Sequence, residues 1–244
     1  MGVTNPDSGT RIDEIAAGIH RISTPVPSSE FPGGFTFNQF LIDDDAPLLF
    51  HTGLRQLFPL VREAIATVLD PRRLRYLAFS HVEADECGAL NQLLSIAPEA
   101  VALCGAVAVD VSVRDLVDRP PRPLNDGEEV SLGQHTVRWL YTPHLPHAWE
   151  CGYLYESMTR TLFCGDLFTQ PGHQHAPLTE ADILAPSEAM RAEMDYYAHS
   201  PRTGELIEKL ARTAPTTLAC MHGSAWRGDG GSLLRQLAAR LARA

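Results

Sequence analysis

The stretch Ser80-His81-Val82-Glu83-Ala84-Asp85-Glu86-Cys87-Gly88 places one imidazole and three carboxylates within six consecutive positions, directly after an apolar run, Leu74 to Phe79, that reads as a buried strand. Carboxylates crowded at a strand end cannot all stay ionised at neutral pH unless a cation compensates them. A divalent metal is such a cation. Residues two apart on an extended chain point the same way, so His81, Glu83 and Asp85 are expected to converge. A solvated acidic turn that happens to hold a histidine is the competing reading of this stretch alone.

Three later stretches repeat the pattern of a metal-competent side chain where an apolar strand gives way to a loop. Val137 to Pro143 runs into His144-Leu145-Pro146-His147, Thr161 to Cys164 into Gly165-Asp166, and Thr216 to Met221 into His222-Gly223-Ser224-Ala225-Trp226. Layered α/β enzymes assemble their sites at such strand ends. Two blocks of strand, strand and helix facing one another point to an α/β fold of the αββα sandwich type. Residues 1–15 read as a flexible, polar N-terminal tail and residues 16–244 as a single domain.

The order and spacing of these motifs resemble the metallo-β-lactamase superfamily, and within it the di-iron branch of oxygen-binding di-iron proteins and the metal domain of flavodiiron proteins. The hydrolase members carry H-x-H-x-D-H, whereas Glu83 stands here at the second histidine, as in the H-x-E-x-D of the di-iron branch. His222-Gly223-Ser224-Ala225-Trp226 is similar to the H-G-x-x-W of that branch. The resemblance implies that His81, Glu83 and His147 hold one metal, that Asp85 and His222 hold a second, and that Asp166 bridges them. Glu86 stands where the family most often has histidine, and three roles are open to it: ligand of the second metal, hydrogen-bond acceptor behind a ligand, or bystander that leaves that metal short of a donor. His51 replaces the acid of the family's Asp-Thr-Gly and is either a hydrogen-bond partner of a ligand or a plain strand-end histidine.

Donor chemistry bears on the metal independently. Glu83, Asp85, Asp166 and Glu86 against three histidines form an oxygen-rich set that suits iron, with manganese or zinc as alternatives. Four other residues are candidates for the pocket around the metals: His144, His173 and His175 in loops, and Tyr197 on a helix expected from Ser187 to His199. Solvated loop histidines and core packing of Tyr196 and Tyr197 are the alternatives. Of five cysteines, Cys87, Cys151, Cys164 and Cys220 fall close to the implied ligands. They read as small apolar fillers, or as redox-sensing thiols at Cys87 or Cys151.

The net charge of −10 leaves no basic stripe for phosphates, so no nucleic-acid-binding residues are assigned. No apolar run reaches the length of a membrane span and the N-terminus lacks a signal-peptide pattern, so a cytoplasmic protein with no membrane partner is expected. The resemblance implies a binuclear, non-haem di-iron protein that binds and reduces O2 or NO. With no flavin domain in this chain, the electrons would come from an external donor. The alternative is a metal-dependent hydrolase that attacks an ester, thioester or phosphoester with a metal-bound hydroxide. A homodimer is common among relatives of this kind, and nothing in the sequence demonstrates one.

Overall fold

Alternation of apolar and polar residues decides the first half of the chain, and the computed structural model, which describes residues 2–28 and 33–243, turns it into an eight-stranded sheet. Its strands are β1 (Gly2–Asn5), β2 (Thr10–Ala16), β3 (Ile19–Val26), β4 (Phe35–Ile42), β5 (Leu48–Phe50), β6 (Tyr76–Ala78), β7 (Val101–Gly105) and β8 (Arg122–Leu124), side by side in chain order. Pairing is antiparallel from β1 to β5 and parallel from β5 to β8. Each parallel step needs a crossover, and these carry α1 (Phe58–Ala66), α2 (Ala84–Cys87), α3 (Leu90–Ile96), α4 (Ala106–Ala108) and α5 (Arg114–Leu116).

A seven-stranded sheet follows, with β9 (Glu129–Ser131), β10 (Thr136–Tyr141), β11 (Gly152–Glu156), β12 (Thr161–Phe163), β13 (Leu178–Thr179), β14 (Thr217–Ala219) and β15 (Ala225–Arg227) in the order β13-β15-β14-β12-β11-β10-β9. Helices α6 (Leu184–Glu193), α7 (Thr203–Ala211) and α8 (Gly230–Leu241) belong to this half. Asp229 caps α8 by accepting a hydrogen bond from the Ser232 N–H. Ala244 lies outside the described residues.

Three buried clusters mark the contacts between four layers. Ile22, Leu41, Leu49 and Leu77 face Val61, Ile65 and Leu93 on the helices of the first half. Ile19, Phe40, Ile42 and Phe50, on the opposite face of the same strands, meet Val137, Trp139, Leu154 and Phe163 of the second sheet. Leu162 and Leu218 face outward onto Leu206, Leu210, Leu234 and Leu237. Helices outside and two sheets inside make the expected αββα sandwich.

The N-terminal expectation needs correction. Residues 2–16 are not a flexible tail but the two outermost strands, with Ile12 and Ile15 each only 1% exposed; Met1 lies outside the described residues. Ile12 enters the helix-side core and Ile15 the core between the sheets, so each face of β2 carries one isoleucine among polar residues and no apolar alternation reveals the strand.

Candidate metal centre

The four motif loops meet at one end of the sandwich because each strand that precedes them ends there. After β6 the chain leaves the sheet at Ser80, whose carbonyl accepts the Gly152 N–H of the second sheet at 2.9 Å. His81 and Glu83 follow in irregular backbone, and Asp85 sits in the first turn of α2. Alternation along an extended chain is therefore not what gathers them: bends place His81 and Glu83, and a helical turn delivers Asp85. His147 comes from the β10–β11 connection, Asp166 from the residues after β12, and His222 from those after β14.

The six side chains converge as two groups joined by Asp166. His81 Nε2 lies 2.9 Å from Glu83 Oε2 and 2.9 Å from His147 Nε2, and Asp166 Oδ2 is 3.7 Å from both imidazole nitrogens. On the other side, His222 Nε2 is 3.4 Å from Asp85 Oδ2 and 3.6 Å from Asp166 Oδ1. His81, Glu83, His147 and Asp166 offer donor atoms all within 4.8 Å of one another, close enough to share an ion.

The hydrogen bonds behind the imidazoles fit a metal. His147 Nδ1 donates to the Tyr196 carbonyl and His222 Nδ1 to the Thr36 carbonyl, each at 2.9 Å. His81 Nδ1 is 2.8 Å from Ser80 Oγ, whose own proton goes to Glu86 Oε2 at 2.7 Å. With Nδ1 occupied in every case, all three Nε2 atoms are left to face the shared space, the arrangement that metal-binding histidines adopt. Phe35 and Phe37 hold the His222 ring edge-on, at centroid distances of 5.4 and 5.2 Å.

Electrostatics point the same way. Burial alone would push His222 down, yet Asp85 and Asp166 raise it to about 9. Burial opposes a charged His81 too, but Glu86, Cys151 and Glu83 carry it well above the ordinary histidine range. Burial, reinforced by Glu86, lifts Asp166 to about 6. Hydrogen bonds from His147 and His81 hold Glu83 far below the usual carboxylate range. Groups that gather protons in this way are groups arranged around a place for positive charge.

Glu86 takes one of the three roles left open to it. Its carboxylate is fully buried and turned into the fold, with Oε2 2.5 Å from His51 Nε2 and within reach of Ser80 Oγ. His51 is likewise fully buried, with Nδ1 3.1 Å from Met221 Sδ. The two residues support the His81 side of the centre from behind.

Four pocket candidates do not reach the centre. His144 is exposed in its loop. His173 and His175 bond backbone carbonyls, of Gly33 in one case and of Pro171 and Gly172 in the other, and so fold their own loop. Tyr197 lies past the end of α6, which stops at Glu193, and packs into the outer core. Its neighbour Tyr196 is the one that lines the cavity over the centre. That cavity, of about 460 Å³, has Glu83, Asp85, His147, Asp166 and His222 at its floor and Val26, Phe35, Phe37, Met190 and Met194 in its walls.

Sequence reasoning missed the supports. Arg21 and Asn38, both fully buried, donate to the Gly223 carbonyl at 2.6 and 2.9 Å and so hold the His222 loop. Glu150 accepts the Val82 N–H at 2.9 Å and fixes the His81 loop. A buried arginine in β3 is the one of these that a sequence could flag, since a charge in a strand core needs a partner.

Known proteins share this fold. ODP family beta lactamase matches residues 35–223, from the first residue of β4 to the residue after His222. The rubredoxin-oxygen oxidoreductase of Megalodesulfovibrio gigas is 31% identical over 209 residues, 81% of this chain and 50% of that protein. The nitric oxide reductase of Moorella thermoacetica is 29% identical over 217 residues, 84% of this chain and 53% of that one. The chain thus spans about half the length of these curated relatives. Among solved structures, the rubredoxin oxygen:oxidoreductase from Desulfovibrio gigas superposes with a TM-score of 0.81 at 24% identity, covering 94% of this chain and 61% of that chain. The metal-soaked Flv1 flavodiiron core from Synechocystis sp. PCC6803 gives 0.79 at 22% identity, covering 95% and 60%. The chain belongs to the ODP family of beta lactamases, and its fold is that of the solved flavodiiron core.

Proposed function

We propose that His81, Glu83 and His147 hold one iron ion, Asp85 and His222 a second, with Asp166 bridging, and that the centre binds and reduces O2 or NO with electrons from an external donor. The observation that carries this reading is Asp166, whose two oxygens address two separate groups of ligands. The oxygen-rich donor set favours iron over the nitrogen- and sulfur-dominated sets of zinc hydrolases, and the printed names of two relatives, an oxygen oxidoreductase and a nitric oxide reductase, lend further support. Bound as ferrous ions, the pair would supply electrons and adjacent binding positions for a diatomic molecule.

The chain's own residues do the rest. Phe35, Phe37, Met190 and Met194 give the cavity an apolar approach that admits a small neutral gas and disfavours water. Tyr196 contributes to the cavity wall while its buried hydroxyl is turned toward Ser187, Thr169 and Tyr197. Metal analysis and anaerobic titration of the ferrous protein with O2 and with NO test the reading. Two irons per chain and a new near-ultraviolet or visible band are expected. Zinc at both positions together with turnover of a thioester or phosphoester would overturn it.

A further inference from the structure

Cys164 and Cys220 are two of the four buried cysteines that the proposed chemistry leaves unused. Their sulfurs lie 3.7 Å apart, both side chains are 0% exposed, and neither is in a disulfide. They continue the parallel pairing of β12 with β14 one step beyond Phe163 and Ala219, where the Cys164 N–H donates to the Ala219 carbonyl at 3.1 Å. Neighbouring strands are about 4.8 Å apart, inside the roughly 4.4–6.8 Å range of Cα separations that a disulfide spans. Each thiol precedes a proposed ligand by two residues, Asp166 in one strand and His222 in the other. Packing alone calls for small apolar side chains here and does not call for two sulfurs in contact.

We propose that Cys164 and Cys220 form an oxidisable pair that hydrogen peroxide closes to an intrachain disulfide. One sulfur attacks peroxide, forming an S–O bond as the O–O bond breaks and releasing water. The second sulfur then displaces the hydroxyl of that sulfenic acid, forming the S–S bond and releasing a second water. The two thiols are oxidised by two electrons, peroxide is reduced by two, and both thiol protons leave in the water. Peroxide is the two-electron product of O2, so its arrival from the neighbouring centre rests on the function proposed above; the sulfur chemistry itself does not.

The test uses the full chain, reduced, in metal-free form and loaded anaerobically with ferrous iron. The metal-free protein receives hydrogen peroxide and the iron-loaded protein receives O2. Thiols are then alkylated under denaturing conditions and the peptides identified by mass spectrometry. Loss of two of the five thiols with a Cys164–Cys220 cross-linked peptide, reversed by dithiothreitol and absent from Cys164→Ala, is expected in the peroxide arm. Cys164→Ala keeps the site apolar, so a folded control accompanies Cys164→Ser. Five intact thiols after peroxide, a bond between a different pair, or sulfinic acid in place of the cross-link would overturn the proposal. A cross-link with peroxide but none with iron and O2 would uphold the pair and count against the oxygen chemistry instead.

Discussion

Asp166 divides its two oxygens between two groups of side chains, so removing a ligand from one group should leave the other standing. His147→Ala and His222→Ala are each expected to lower metal content from two ions per chain to one, whereas Asp166→Ala lowers the affinity of both positions. Inductively coupled plasma analysis after dialysis measures this, and equal loss at all three variants would argue against two positions. Protons compete for the same atoms. His222 is raised to about 9 from 6.5 and Asp166 to about 6 from 3.8. A raised folded-state value means the protonated form is the stabilised one, so the His222 contribution is complete below about 6.5 and lost as pH rises through about 9. That of Asp166 is complete below about 3.8 and lost through about 6. Ligands must shed those protons to bind metal. Between pH 6.5 and 9 the gain in Tm on adding a divalent ion should therefore grow; a gain that shrinks over that window would show that these groups do not exchange protons for the ion. At this scale Glu86 and His51 were the ambiguous residues, because their side-chain directions depend on what surrounds them and not on their spacing.

Among the elements, β2 is the one that sequence pattern hid. Its polar residues Arg11, Asp13 and Glu14 resemble a solvated tail, and its two isoleucines enter different cores, Ile12 on the helix side and Ile15 between the sheets, so neither face shows a run of apolar residues. Ile12→Ala is expected to cost roughly 2–5 kcal/mol, the usual range for emptying a buried isoleucine site, measured by urea denaturation. A change below about 0.5 kcal/mol, the usual range for a surface position, would mean that β2 is not packed as described. The loop after β14 depends on a different device. Gly223 has φ +95°, and a Cβ there would stand 2.5 Å from the Gln170 side chain. Gly223→Ala should therefore displace His222 and empty the second metal position while the first stays filled. The strand ends carrying His147, Asp166 and His222 were legible because β-branched and aromatic runs stop shortly before these side chains. Asp85 was placed correctly for an incomplete reason, since a turn of α2 and not an extended chain presents it.

Across the whole molecule, the centre is made from both halves: His81, Glu83 and Asp85 follow the first sheet, and His147, Asp166 and His222 follow strands of the second. An ion bound there would be held by residues of both halves and by the folded state alone, so each should add about 2.7 kcal/mol of stability at a hundredfold excess over its Kd. A chelator should lower Tm accordingly, and an unchanged Tm would mean that the two halves are not joined through the centre. The order of the motifs and the residue types at four strand ends were enough to anticipate which side chains meet, because a strand that stops must expose what comes next. What the tertiary structure alone decided is which of two adjacent acids faces His222. Successive residues of a helical turn point about 100° apart, so in α2 Asp85 looks outward to His222 while Glu86 is driven inward onto His51. Only the packing of that turn against the sheets sets the difference.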